Sequence, residues 1–242
     1  MTRRMFTVAL IGPDGAGKTT VSRRLEQVLP LPIKYLYMGV NPDSSNHLLP
    51  TTRLVRAFKR ARGARPDVAG PPDPLRVRQR PKGAVRRVRS SVKATLRLTN
   101  RLAEEWYRQY LAWSHVRRGQ VVVFDRHFFS DYHAYDVAAG ADQPLSRRIH
   151  GFLLERVYPK PDLVIYLDAP PEVLLARKGE GTLEALERRR RDYLSLADQT
   201  RHFAVVDAAR PLEEVTQEVA GVISSFAATR TVDRPSPAVS GD

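Results

Sequence analysis

Phe6-Thr-Val-Ala-Leu-Ile-Gly-Pro-Asp-Gly-Ala-Gly-Lys-Thr-Thr20 is an apolar run that breaks at a glycine, crosses a glycine-rich loop and enters a helical pattern. A short, unbroken apolar run of this kind reads as a strand buried on both faces. From Gly17 to Leu29 the apolar residues Val21, Leu25 and Val28 recur at helical spacing, and Pro30 stops the pattern. Between strand and helix, Gly12-Pro13-Asp14-Gly15-Ala16-Gly17-Lys18-Thr19 fits GxxxxGK[ST] at every fixed position. The residue types suit a polyphosphate. Glycines let main-chain N–H groups face it, the helix N-terminus adds partial positive charge, and lysine supplies a full one. The expected cradle is Gly12, Pro13, Asp14, Gly15, Ala16, Gly17, Lys18, Thr19 and Thr20. Lys18 is expected on the β- and γ-phosphates and the Thr19 hydroxyl on Mg²⁺.

Outward from this stretch the same alternation continues. Ile33–Met38 is a second expected strand, Gln120–Phe124 a third, Leu163–Leu167 a fourth and Phe203–Val206 a fifth. Helices are expected at 84–118, 145–157, 171–178, 183–200 and 212–227. Val85, Val88, Val92, Leu96, Leu102, Trp106, Tyr110 and Trp113 are among the apolar positions of the long one, and its aromatics read as packing residues. Strands alternating with helices predict a parallel α/β sheet covered on both faces. Such sheets bind ligands beyond the carboxyl ends of their strands.

Composition narrows the classes further. Among 242 residues there is no cysteine, which excludes disulfides and Cys-ligated zinc. The histidines at 115, 127, 133 and 150 lack zinc spacing. Met5–Ile11 is too short to span a bilayer and no small-residue cleavage site follows it, so a cytoplasmic protein is expected. The net charge of +14 is local: residues 53–101 hold 13 Arg and 3 Lys against Asp67 and Asp73. An anionic partner, if one exists, should meet that segment. Gly63, Pro66, Gly70, Pro71, Pro72, Pro74 and Pro81 mark its first part as a loop-like insert.

Four segments together resemble the thymidylate kinase family of P-loop nucleoside-monophosphate kinases. They are Gly12–Thr20; Val121-Val-Val-Phe-Asp-Arg-His127 with Ser130 and Ala134-Tyr135; Pro161-Asp-Leu-Val-Ile-Tyr-Leu-Asp168 with Pro171, Glu172 and Arg177; and Arg177-Lys-Gly-Glu180 leading to Glu187-Arg-Arg-Arg-Arg191 and Tyr193. The resemblance implies a P-loop NTPase fold with a five-stranded parallel sheet and an Arg-rich lid at 177–192. It implies one kinase domain over 1–228, with 53–101 as an insert and 229–242 as a disordered tail. ATP and Mg²⁺ are the implied cofactors, and the implied partners are ATP and a small phosphate acceptor, with a homodimer as the expected assembly. The implied catalytic set is Lys18, Asp14, Asp125, Arg126, Arg177 and Arg188, and the implied metal ligands are Thr19 and Asp125. Asp14 would meet an acceptor hydroxyl, Asp125 would hold the metal or orient the acceptor, and Arg126 would clamp an anionic group. With Gly15 after Asp14, the cation over the transferring phosphoryl falls to the lid.

The acceptor side reads differently. Where the family carries Arg-Glu-Pro, this chain has Tyr37-Met-Gly-Val-Asn-Pro-Asp-Ser-Ser-Asn-His47, and Asp136 follows Ala134-Tyr135 in place of glutamine. The polar groups of Asn41, Ser44, Ser45, Asn46 and His47 suit a sugar or nucleoside hydroxyl as well as a nucleotide. A nucleic-acid- or membrane-associated NTPase using the basic insert, and a silent nucleotide-binding scaffold, remain the other readings of the same residues.

Overall fold

The computed structural model describes residues 5–39, 84–132, 145–179 and 181–232, together with Leu49, Thr52 and Phe58. The expectations for 41–47, for 53–83 apart from Phe58, for 134–136 and for 233–242 lie outside the described residues. The chain divides into two compact units. Unit 1 comprises Met1–Tyr35, His115–Val123 and Pro161–Asp242; unit 2 comprises Leu36–Ser114 and Phe124–Lys160.

Five strands form one sheet: β1 (Thr7–Ile11), β2 (Ile33–Tyr37), β3 (Val121–Asp125), β4 (Leu163–Asp168) and β5 (Phe203–Asp207), in the order β2-β3-β1-β4-β5. The middle strand is the apolar run that opens the chain. Val8, Ala9, Leu10 and Ile11 are buried, as a strand covered on both faces requires. It runs parallel to β4 with Val8 opposite Leu163 and Ile11 opposite Tyr166. Strand β4 runs parallel to β5, ending with Asp168 opposite Asp207.

In unit 1, α1 (Lys18–Val28) turns Val21 and Leu25 into the core. The last helix, α7 (Leu212–Val232), buries Val215, Val219, Ile223 and Phe226 in the same core. The Phe226 ring meets Phe6 edge-on at 5.0 Å, and Arg24 of α1 reaches Glu213 of α7 at 3.0 Å. The α7 helix runs past Ala227, where the sequence pattern placed its end. Ala228-Thr-Arg230 contains no breaker, and Arg230 donates to Asp162 at 2.5 Å. The charged helix expected over 183–200 is α6 (Leu183–Leu194), followed by a tighter 3₁₀ turn at Ser195–Gln199. The Thr182 side chain caps α6 by accepting from the Ala185 N–H.

Unit 2 holds most of α2 (Ala84–Arg117), the short α3 (Phe128–Tyr132), which no sequence pattern announced, and α4 (Leu145–Arg156). Helix α2 departs from the amphipathic expectation. Its buried face carries Glu104, Glu105, Arg108 and Gln109 beside Ala112, while Val92, Leu96, Tyr110 and Trp113 are exposed. The two buried carboxylates have partners. The Glu105 carboxylate accepts the Tyr158 hydroxyl at 2.8 Å, and both its oxygens lie 3.1 Å from His150 Nε2. Burial, and then Glu105, push the Tyr158 phenol pKa upward. The Leu49 N–H donates to Glu104 at 3.2 Å. Trp106 does pack as expected, with its ring 5.1 Å from Tyr158 and 6.1 Å from Trp113.

Candidate active site

Two groups of predicted residues are placed by the two units. In unit 1, β1 ends at Ile11 and α1 begins at Lys18, so Gly12–Gly17 must turn the chain within six residues. Gly12, Gly15 and Gly17 take φ of 146°, 94° and 84°. At Gly12 there is also no room: a Cβ would stand 2.7 Å from the Leu167 carbonyl oxygen. The loop therefore lies against the carboxyl end of β4, the place where parallel sheets bind ligands. The Lys18 side chain is buried and its Nζ donates to the Pro13 carbonyl at 2.7 Å, so the ammonium folds back across the loop. The Thr19 and Thr20 side chains are exposed, and Asp14 is half-buried.

The arginines of the expected lid are sorted by their partners. Arg190 of α6 forks onto Asp168 at the end of β4, with Nε and Nη2 each 2.8 Å from a different carboxylate oxygen. These bonds hold the Asp168 carboxyl below the usual carboxylate range and raise the Arg190 guanidinium. Tyr193, two residues past Arg191, stacks on Tyr166 of β4 with centroids 5.6 Å apart. Arg188, Arg189 and Arg191 are exposed. Arg177, at the end of α5 (Pro171–Lys178), donates to the carbonyls of Ala208 at 2.8 Å and Ala209 at 3.3 Å, just beyond β5.

In unit 2, Asp125 closes β3 and is fully buried. Arg126 follows with φ of 68°, the single non-glycine residue with positive φ among the described residues. His127 is buried between the rings of Phe124 at 5.2 Å and Phe128 at 5.6 Å. Its Nδ1 accepts the Phe129 N–H at 3.3 Å, which places its own hydrogen on Nε2, an atom with no hydrogen-bond partner. Burial pushes the His127 pKa down to about 3. The Ser130 hydroxyl donates to the His127 carbonyl at 2.8 Å, which closes the first turn of α3. Among the described residues no group of three or more acidic, histidine or cysteine side chains is arranged to hold a metal ion.

The sequence pattern did not single out Gly39 or Arg108. Arg108 is buried and donates through Nη1 to the Gly39 carbonyl at 2.8 Å. The lone glycine after β2 was a visible signal; nothing in the arginine-rich helix distinguished Arg108.

The family model for thymidylate kinase matches residues 86–219, more than half of the chain. A "Probable thymidylate kinase" of Pyrobaculum aerophilum is 30% identical over 230 residues, covering 90% of this chain and 96% of that protein. A "Probable thymidylate kinase" of Archaeoglobus fulgidus is 42% identical over 118 residues, 46% of this chain and 57% of the relative. "Probable thymidylate kinase 1" of Saccharolobus solfataricus is 32% identical over 116 residues, 46% of this chain and 58% of the relative. The chain thus spans a little over half the length of the last two relatives.

Proposed function

Because the chain belongs to the thymidylate kinase family, we propose that it is a phosphotransferase that moves the γ-phosphoryl group of ATP to a nucleoside monophosphate. The observation that carries this reading is the loop 12–19, with three positive-φ glycines between a buried strand and a helix N-terminus. In this reading Lys18 leaves the Pro13 carbonyl for the β- and γ-phosphates, and the loop amides hold the rest of the polyphosphate. The hydroxyl of Thr19 and the carboxylate of Asp125 are hard oxygen donors of the kind Mg²⁺ takes, and they would hold it. When bound, the ion neutralises charge on the phosphate oxygens. Asp14 orients the acceptor hydroxyl or phosphate, and Arg126 clamps the acceptor's anionic group.

Of the lid arginines, Arg188 is the cation offered to the transferring group, since Arg190 is engaged by Asp168. Arg177 contributes by fixing the carbonyls of Ala208 and Ala209. No helix of the described residues is long and apolar enough to cross a membrane, and the cytoplasm is the proposed location. The anionic-partner expectation for 53–101 concerns side chains mostly outside the described residues.

A second copy of this chain is the partner proposed for the exposed line on α2. Val92 and Leu96 are four apart, Tyr110 and Trp113 three apart, and the two pairs stand in one heptad register with Leu96 and Tyr110 fourteen residues apart, as in a helix–helix seam. A two-fold axis at Ala103 opposes Leu96 to Tyr110 and sets Val92 opposite Ser114, next to Trp113, small against large, so the line complements itself.

The test is incubation with ATP, Mg²⁺ and a panel of nucleoside monophosphates, nucleosides and sugars, read by mass spectrometry. The expected product is a nucleoside diphosphate. Lys18→Ala should lower its formation by at least about a hundredfold while circular dichroism stays unchanged. Phosphorylation confined to sugars or nucleosides would remove the acceptor assignment. ATP hydrolysis without a phosphorylated product, stimulated by nucleic acid or anionic vesicles, would remove the transferase reading.

A further inference from the structure

Gly39 and Arg108 lie outside the phosphate loop and the four family-like segments. We infer that they are positioning residues for Arg126, forming a platform that sets where its guanidinium goes; this rests on the reading of Arg126 as the anion clamp.

The need for glycine at 39 is one of space, because its φ lies outside the positive region that favours glycine. A Cβ there would stand 2.5 Å from Arg126 Cδ, 2.5 Å from the Tyr37 hydroxyl oxygen and 2.6 Å from Tyr37 Cζ. The stem of Arg126 and the ring of Tyr37 therefore pass over the bare Cα of Gly39. The strand ends set this register: the Met38 N–H donates to the Asp125 carbonyl at 3.1 Å, bringing residue 39 beside residue 126.

The platform is anchored from the helix side. Arg108 is 4% exposed, yet its Nη1 is committed to the Gly39 carbonyl and its Nε has no hydrogen-bond partner. Its guanidinium lies 5.8 Å from the centre of the Phe128 ring. Burial lowers its pKa and the nearby Glu104 opposes that shift. A buried cation is costly unless it is paired and hydrogen-bonded, and Arg108 has the Glu104 and Glu105 carboxylates nearby and the Gly39 carbonyl as its acceptor. Here the carbonyl belongs to the residue on which Arg126 rests. Arg126 is itself held at φ of 68°, outside the ordinary strand conformation, a strain that clusters at functional sites.

Steady-state kinetics with dTMP as the acceptor probe and ATP·Mg²⁺ as donor test the chain of support. Gly39→Ala should raise KM for dTMP by about tenfold to a hundredfold while KM for ATP stays within about twofold. Arg108→Met should do the same, and Arg108→Lys should recover most of the loss, since an ammonium can still donate to the Gly39 carbonyl. In an Arg126→Ala background, Gly39→Ala should add nothing further. The Arg126 Nε–H resonance, read by NMR without turnover, should shift on Gly39→Ala.

An unmoved resonance with an unmoved KM overturns the inference. So does a Gly39→Ala effect that persists in full in the Arg126→Ala background, because that marks a general distortion. If Arg126→Ala itself leaves KM for dTMP unchanged while the resonance still shifts, the clamp role of Arg126 falls and the platform stands.

Discussion

Acidification should destabilise this protein through one ring, His127. The imidazole is buried, with desolvation as the cause that pushes its pKa to about 3. In the unfolded chain the same group titrates near about 6.5. The folded value is the lower one, so the unfolded state binds the extra proton between the two. The stability contributed by a neutral His127 is therefore fully present above about pH 6.5 and is lost as pH falls from there towards 3. Going from pH 7.5 to pH 5 crosses about one and a half pH units below the unfolded pKa, worth about 2 kcal/mol.

Urea unfolding at the two pH values measures this, with His127→Phe as the reference. Phenylalanine keeps a ring between Phe124 and Phe128 and cannot take up a proton. The wild type should lose about 2 kcal/mol more than the variant between pH 7.5 and 5, since the remaining titrating groups cancel in the difference. Equal losses in the two proteins would refute the reasoning. Either the ring would then be reached by water, or Nε2 would gain a partner that accepts equally well in both charge states.

Two other outcomes follow from the unusual faces of α2. Glu105→Ala leaves the Tyr158 hydroxyl and His150 Nε2 without their carboxylate in a buried setting, at about 1–3 kcal/mol for each orphaned group, visible as a lowered urea midpoint. If the exposed line on α2 joins two copies, sedimentation equilibrium should return twice the chain mass, and Trp113→Asp should return the single-chain mass. A monomer before the substitution removes that proposal.

The strands were legible because burial on both sides leaves a simple trace, a short apolar run closed by a breaker. Val121–Phe124 and Leu163–Leu167 carry it as plainly as Phe6–Ile11. The phosphate loop was legible because its spacing is itself the chemistry. Helix α2 was misjudged on its apolar residues, since periodicity marks a face without saying what covers it. The sequence shows an apolar line through Leu96 and Tyr110; only the fold shows Glu105 and Arg108 turned inward, the first onto Tyr158 and the second onto the Gly39 carbonyl. Short α3 was invisible for a related reason. Phe128-Phe-Ser-Asp-Tyr132 is too brief for any period to emerge, and side-chain bonds to His127 and Ser130 close it locally. The link between Gly39 and Arg126 crosses 87 positions of the chain, a distance over which a single sequence carries no pairing signal.

The four arginines at 188–191 look equivalent on paper, and the fork onto Asp168 makes them unequal. Lysine at 189 or 191 would conserve the sign of the field at an exposed position. At 190 a single ammonium cannot span both oxygens of the aspartate as the planar fork does. Drift within the run should thus obey two different rules, with 190 constrained by the shape of its aspartate and 189 and 191 by charge alone.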